Sequence, residues 1–147
     1  MSETVRLLGL DPGLRAMGWG VIDVTGNRLS HVANGTVTSS SKLSLAERLV
    51  QLEEGLVSVI ADHAPASAAV ETAFVSKDAA AALKLGQARA VALLVPARSG
   101  LEVAEYAPNK IKKTVTGSGH ADKQQIKMMV ETLLARCKTK SEHAADA

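Results

Sequence analysis

Two acidic residues stand at the ends of apolar segments, where a charge is costly unless something pairs with it. Asp11 ends the run VRLLGLD and precedes Pro12-Gly13, and Glu71 ends the run SAAVE. Asp146 lies near the end of the sequence, three positions after His143. Carboxylate oxygens suit Mg²⁺, and paired ions held by such groups support in-line phosphodiester cleavage. Metal-dependent phosphodiester chemistry is therefore one interpretation of these residues.

Each of these residues also has an interpretation without chemistry. Asp-Pro-Gly is a turn sequence, so Asp11 could do no more than begin a turn. A His and an Asp close to a terminus, as at His143 and Asp146, are commonly solvated. Glu71 is harder to explain by a turn. Two carboxylates at the ends of separate strands favour metal binding more strongly than either does alone.

The apolar pattern predicts three consecutive strands in the first part of the chain. Residues 5–11 have little polar alternation, which is typical of a strand buried on both faces. Residues 18–24 and 28–38 predict two further strands, joined by a hairpin turn at Thr25-Gly26-Asn27. These segments predict an antiparallel meander.

Helices and strands alternate after the meander. Ser44 and Glu47 form a capping box ahead of a helix that extends to His63. The later elements are predicted as strands at 67–71 and 101–107, and as helices at 77–95, 108–115 and 123–137. Crossovers of this kind connect parallel strands. The order therefore predicts a mixed five-stranded sheet with helices on both faces.

Sites in such sheets lie at the carboxyl ends of the strands. Asp11 ends the first predicted strand and Glu71 ends the fourth. If these strands are parallel neighbours, we expect the two carboxylates to converge at one edge of the sheet.

Composition restricts the class of protein. The chain has 147 residues, of which 46% are hydrophobic and 22% charged, which is typical of one globular domain. The single cysteine, Cys137, excludes an internal disulfide. We find no signal peptide and no apolar run near the ~20 residues of a membrane span, so we expect a cytoplasmic protein with no membrane partner.

Charge is unevenly distributed along the chain. The formal net charge is +2, with −3 in residues 1–76 and +5 in residues 77–147. The second half could therefore bind a polyanion. A solvated basic surface would explain the same count.

Four segments carry a resemblance to a known family, in this order and spacing: LGLDPGLRAMGWGVID, VETAFVSKDAAAALKLGQARAVAL, EYAPNKIKKTVTGSGHADKQQIKMMV and HAADA. They resemble the bacterial RuvC family of crossover junction endodeoxyribonucleases, the Holliday junction resolvases. The resemblance covers essentially the whole chain and implies one α/β, RNase H-like nuclease domain over residues 1–147. It also implies a homodimer that makes paired, Mg²⁺-dependent nicks in four-way DNA junctions, with the RuvA–RuvB branch-migration complex as a partner.

The resemblance assigns catalytic, metal-binding roles to four residues. Asp11, Glu71 and Asp146 match carboxylates of the family's metal site. His143 stands where many members have another Asp, and some members have His. Because imidazole favours transition metals, we expect Mn²⁺ to support activity besides the two Mg²⁺ ions per subunit that the family implies.

The resemblance also implies residues that contact DNA. Phe74 matches an aromatic residue that the family places against bases at the junction, although a core Phe is the alternative. Lys112 and Lys123 match basic positions at the rim of the active site. Further contacts with the DNA phosphate backbone are predicted for residues that include Lys77, Lys84 and Arg89. Any one of these could equally be a solvated charge.

Small residues recur at helical spacing in the Ala-rich segment. They are Ala79, Leu83, Gly86 and Ala90. A mid-helix glycine costs ~1 kcal/mol relative to Ala, so close approach of another helix would compensate at Gly86. The family uses this helix at its dimer interface. Packing of the helix on its own sheet is the alternative explanation.

Two further points stay open at this stage. In the family the HAADA motif begins a long terminal helix, and because the sequence ends at Ala147 we expect the domain to lack most of that helix. The alternative functions are a junction-binding protein without nuclease activity and an actin-like or sugar-kinase phosphate-binding domain. The latter class needs a second similar domain, for which this chain is too short.

Overall fold

A mixed five-stranded sheet is the centre of the fold in the computed structural model, which describes residues 3–26, 28–72 and 78–106. The strands are β1 (Thr4–Asp11), β2 (Ala16–Thr25), β3 (Arg28–Thr38), β4 (Ser67–Glu71) and β5 (Glu102–Tyr106), and the helices are α1 (Leu45–His63) and α2 (Ala79–Arg98). The strand order is β3-β2-β1-β4-β5. Pairing is antiparallel from β3 to β1 and parallel from β1 to β5, which confirms the predicted mixed sheet.

Both described helices pack against the same face of this sheet. Leu10 of β1 and Val70 of β4 are fully buried in one apolar cluster with Leu52 of α1 and Ala92 of α2. Because side chains alternate along a strand, the neighbours of Leu10 and Val70 belong to the opposite face. The helices predicted at 108–115 and 123–137 lie outside the described residues.

The start of α1 is fixed by the predicted capping box. The Ser44 hydroxyl accepts a hydrogen bond from the Glu47 backbone N–H and donates one to Glu47 Oε1. Further along, Gly55 allows the helix to lie close to β3, since a Cβ at this position would be 2.2 Å from Cγ1 of Val37. The helix therefore rests on β3 at a point where no larger residue fits without movement.

Several element ends differ by one to three residues from the sequence-based prediction, and two of them have a clear physical reason. Strand β2 begins two residues earlier than predicted, because Ala16 and Met17 pair with Thr38 and Val37 of β3. Helix α2 continues through Pro96 to Arg98, so the predicted end at Val95 is wrong. The Val95 carbonyl, left near the helix end, accepts a hydrogen bond from the hydroxyl of Ser99 at 2.8 Å.

Helix α2 is also long and apolar enough, by length and composition alone, to cross a membrane, contrary to our expectation that no segment would be. This is weak evidence for a membrane span, because core helices of other proteins pass the same test. Here the buried residues Ala88, Ala92 and Val95 of α2 join the cluster between the helices and the sheet. Because 22% of the apolar window is buried, the packing accounts for part of the apolar composition.

A buttressing ion pair joins β1, β2 and the end of α1. The Arg6 guanidinium donates from Nε and Nη2 to the two carboxylate oxygens of Asp23, at 2.8 and 3.0 Å. Its Nη1 donates to the carbonyl of His63, the last residue of α1, at 3.0 Å. The hydrogen bond from Arg6 lowers the pKa of Asp23 below its ordinary value of 3.8, and the same bond raises the pKa of Arg6.

The Asp23→Asn variant should therefore lose stability in a pH-dependent manner. Because folding lowers the pKa of Asp23, its contribution is present above pH 3.8 and is lost as the pH falls through the lowered value. We expect the wild type to resist urea better than Asp23→Asn at pH 7, and the difference to shrink toward zero in acid. Glu53→Gln, at an exposed site on α1, is the control. A difference that stays constant with pH would show that the carboxylate charge is not responsible.

Candidate active site

The two predicted strand-end carboxylates are neighbours in the sheet. Strands β1 and β4 pair in parallel with Leu10 opposite Val70, so Asp11 and Glu71 are the next residues on adjacent strands. Adjacent strands are about 4.8 Å apart, and alternation places both residues on the face opposite to Leu10 and Val70. Both are partly buried. The expected convergence of the two carboxylates at one edge of the sheet is therefore present in the backbone register.

A glycine on the next strand leaves room beside Asp11. Asp11 pairs with Gly18 of β2, and a Cβ at position 18 would lie 3.5 Å from Cβ of Asp11 and 3.9 Å from its Oδ2. A branched side chain at this position would crowd the carboxylate. Gly18 carries no functional signal in the sequence alone. The reason for a glycine at position 18 is its pairing with Asp11, and that pairing becomes known only from the register of β1 with β2.

The described residues supply only part of a metal site. No group of three or more His, Cys, Asp or Glu in residues 3–26, 28–72 and 78–106 is placed to hold a metal ion. Asp11 and Glu71 provide hard oxygen ligands of the kind that Mg²⁺ and Mn²⁺ accept. The other predicted ligands, His143 and Asp146, lie outside the described residues.

Comparison with known protein families shows which family the chain belongs to. A sequence profile described as "Crossover junction endodeoxyribonuclease RuvC" matches residues 7–147. The chain belongs to the RuvC family. Members of this family are metal-dependent nucleases, which agrees with two carboxylates at one edge of the sheet.

Individual relatives agree with this assignment. The protein named crossover junction endodeoxyribonuclease RuvC from Parvibaculum lavamentivorans is 67% identical over 147 residues, which is all of this chain and 84% of the relative. The protein of the same name from Afipia carboxidovorans is 60% identical over 147 residues, all of this chain and 86% of the relative.

Solved structures share the fold. RuvC of T. thermophilus, in complex with a Holliday junction substrate, superimposes with a TM-score of 0.70 at 28% identity, covering 87% of this chain and 78% of that chain. The yeast mitochondrial Holliday junction resolvase Ydc2 has a TM-score of 0.54 at 11% identity, covering 74% and 55% of the two chains, and shows the fold alone. The RuvC matches confirm the predicted RNase H-like α/β fold.

Two of the predicted DNA-contacting residues of this RuvC-family chain lie on α2, on the helix side of the sheet. Lys84 is exposed to solvent there. Arg89 is partly buried and forms an ion pair with Glu105 of β5. The structure thus gives Arg89 a partner within the chain. The other predicted contacts, Phe74, Lys77, Lys112 and Lys123, lie outside the described residues.

The predicted row of small residues on α2 is exposed. Ala79, Leu83, Gly86 and Ala90 all face solvent, and 64% of Leu83 is accessible. Among the described residues, no atom lies within 4 Å of the position that a Cβ of Gly86 would occupy. The helix does pack on its own sheet, as the alternative interpretation had it, but through a different side from this row. The buried side of α2 is formed by other residues, namely Ala88, Ala92 and Val95.

The space beside Asp11 gives a testable expectation. Gly18→Val should retain the fold, because Val favours strands, but should place a branched side chain against the Asp11 carboxylate. We expect metal-dependent DNA nicking to fall by roughly 10- to 100-fold, the cost of a small misplacement at a reacting centre. The control is Ser30→Val. Ser30 is an exposed residue of β3, near the hairpin end of the strand and away from Thr36, the residue that pairs with Gly18. Equal nicking rates for the two variants would mean that position 18 does not border the reacting groups.

Proposed function

We propose that this chain resolves four-way Holliday junctions by paired, symmetric, metal-dependent nicks, in homologous recombination and DNA repair. The observation that carries the proposal is the position of Asp11 and Glu71 at the adjacent ends of β1 and β4 in a chain of the RuvC family. The relatives named above are crossover junction endodeoxyribonucleases, and the T. thermophilus structure holds a Holliday junction substrate.

In this proposal the metal site comprises Asp11, Glu71, His143 and Asp146, holding two Mg²⁺ ions per subunit, with Mn²⁺ also supporting activity. Divalent ions at such a site activate water as a nucleophile and stabilise the leaving oxygen of an in-line displacement. Asp11 and Glu71 would supply negative charge to the metal site. Because the register of two paired strands fixes the backbones of both residues, little reorganisation would be needed when a metal binds. His143 shifts the metal preference toward Mn²⁺.

DNA binding is assigned to the basic second half of the chain. Residues 77–147 carry a formal net charge of +5, which would attract the phosphate backbone. Lys112 and Lys123 stand at the rim of the active site in this proposal, and Phe74 stacks on a base at the junction. Lys77, Lys84 and Arg89 contribute further contacts to the backbone. Of these, Arg89 would first have to leave Glu105.

Two nicks in one junction require two active sites related by a two-fold axis, so we propose a homodimer. The interface proposed is the exposed row Ala79, Leu83, Gly86 and Ala90 on α2. Support comes from Gly86, which has open space where a side chain would be and yet costs ~1 kcal/mol in helix stability relative to Ala. Close packing of a second helix at this point requires a residue without a side chain and would offset the cost of the glycine.

The cellular setting proposed is the cytoplasm, with the RuvA–RuvB branch-migration complex as a protein partner and no membrane partner. A junction-binding protein without nuclease activity is the alternative function, and the family assignment does not favour it. An actin-like or sugar-kinase function is not favoured either. A wild-type chain that binds a four-way junction but fails to nick it with Mg²⁺ or Mn²⁺ would support the binding-only alternative.

The assignment of Asp11 is tested by Asp11→Asn. An amide is an uncharged and poorer ligand, so nicking of a synthetic four-way junction should fall by roughly 1000-fold, while junction binding and the melting temperature are kept. Asp62→Asn, the same change at an exposed site on α1, should nick like the wild type. Appreciable nicking by Asp11→Asn under conditions that support the wild type would end this assignment.

The dimer is tested by Gly86→Leu. A bulky side chain at a closely packed symmetric interface acts on both copies at once, so we expect the dimer dissociation constant to rise by roughly tenfold or more. Sedimentation over a range of protein concentrations measures it. Ala61→Leu adds a similar volume to an exposed position of α1 and should leave self-association unchanged. If Gly86→Leu sediments as the wild type does, the interface lies elsewhere.

A further inference from the structure

The turn between β1 and β2 begins directly after Asp11 and is closely packed. Leu14 is buried in the apolar cluster beneath the helices. At Gly13 a Cβ would lie 2.4 Å from the carbonyl oxygen of Ala16, so the chain folds tightly on itself at this point. The turn is therefore a defined structure at the active-site end of the sheet.

A set of hydrogen bonds ties this turn to the neighbouring elements. The Ser39 hydroxyl, just after β3, donates to the Leu14 carbonyl at 2.5 Å and accepts from Nε of Arg48 at 3.0 Å. The Ser39 backbone N–H donates to the Arg15 carbonyl at 3.1 Å. Beside it, the Ser40 N–H donates to Oε1 of Gln51 at 2.8 Å. The first turns of α1 thus hold the segment after β3, and that segment holds the turn after Asp11.

The residue that this arrangement presents to solvent is Arg15. Its side chain is exposed, and within the part of the chain that the structure describes it forms no hydrogen bond or ion pair. Three other described arginines have side-chain partners: Arg6 binds Asp23, Arg48 binds Ser39, and Arg89 binds Glu105. Arg28 and Arg98 are exposed as Arg15 is, but they lie at the β2–β3 hairpin and at the end of α2, and neither directly follows a proposed metal ligand's turn. Arg15 is a cation with a fixed backbone, four residues beyond a proposed metal ligand, and its guanidinium is available to an external anion.

We propose that Arg15 contacts a phosphate of the junction backbone beside the scissile strand, and that Ser39 and Arg48 are positioning residues that hold Arg15 there. The inference rests on the proposed function, because it takes four-way junction DNA as the ligand. A guanidinium suits phosphate oxygens because its N–H groups form a planar fork. A backbone fixed before binding lowers the ordering cost of that contact.

The binding role is tested with a fluorescent synthetic four-way junction in EDTA, so that binding is measured without cleavage. Arg15→Gln should weaken binding roughly tenfold and should lower the slope of log affinity against log salt by about one, the signature of one lost phosphate contact. Arg28→Gln makes the same charge change at the hairpin, about 30 Å away at the other end of the ten-residue β2. That control should bind like the wild type. If Arg15→Gln and Arg28→Gln bind alike, the inference is overturned.

The positioning role is tested through the hydroxyl of Ser39. Ser39→Ala removes the group that joins Leu14 to Arg48, so binding should weaken roughly threefold, and Ser39→Thr should restore it because the hydroxyl is kept. In an Arg15→Gln background Ser39→Ala should have no further effect, since the residue it positions is already missing. Equal losses in both backgrounds would show that the hydroxyl acts only on general stability, and would overturn the positioning role.

A nicking assay on the wild type distinguishes a failure of this inference from a failure of the proposed function. A wild type that nicks the junction, with an Arg15→Gln variant that binds normally, overturns the inference alone. A wild type that neither binds nor nicks the junction overturns both. A wild type that nicks, with Arg15→Gln weakened and Arg28→Gln unaffected, supports both.

Discussion

The parallel pairing of β1 with β4 is the constraint on which the site depends. Leu10 pairs with Val70, and the next residues are therefore two carboxylates on one face of the sheet. A register shift of one residue would turn Glu71 to the helix face and separate the pair. Two like charges on neighbouring strands repel each other. The sheet must hold them together against that repulsion, and its buried apolar residues provide the rigidity.

Alternation along the strands separates stability from chemistry within a few residues. Leu10 and Val70 face the helices and are fully buried, while Asp11 and Glu71, one position later, belong to the other face. The same division appears in β2, where Met17 is buried in the core and Gly18 lies beside Asp11. Substitutions in the site can therefore change the chemistry while the core that fixes the register stays intact.

The sequence predicted the features that depend on local pattern. The strand ending at Asp11, the hairpin after Thr25, the capping box at Ser44 and the position of Glu71 all follow from apolar period, turn residues and caps. The convergence of the two carboxylates also followed, because the element order left few ways to arrange the sheet.

Features that depend on pairing between distant segments were not predicted. The early start of β2 requires β3 as its partner. The absence of a side chain at Gly18 matters only because this residue pairs with Asp11. The same holds for Ser39, whose hydroxyl joins Leu14 to Arg48. Hydrogen bonds from a serine to a carbonyl 25 positions away leave no pattern in one sequence. The predicted site residues between 107 and 147 lie outside the described residues and stay predictions.

The two mid-helix glycines show how the same residue type can have different causes. Each costs its helix ~1 kcal/mol relative to Ala. At Gly55 the cause lies within the chain, because Val37 occupies the space that a Cβ would need. At Gly86 that space is open among the described residues, and the exposed residues in line with it, Ala79, Leu83 and Ala90, are small or apolar. Nothing among the described contacts compensates for the second glycine, and a second copy of the helix is the compensation that the proposed dimer would supply.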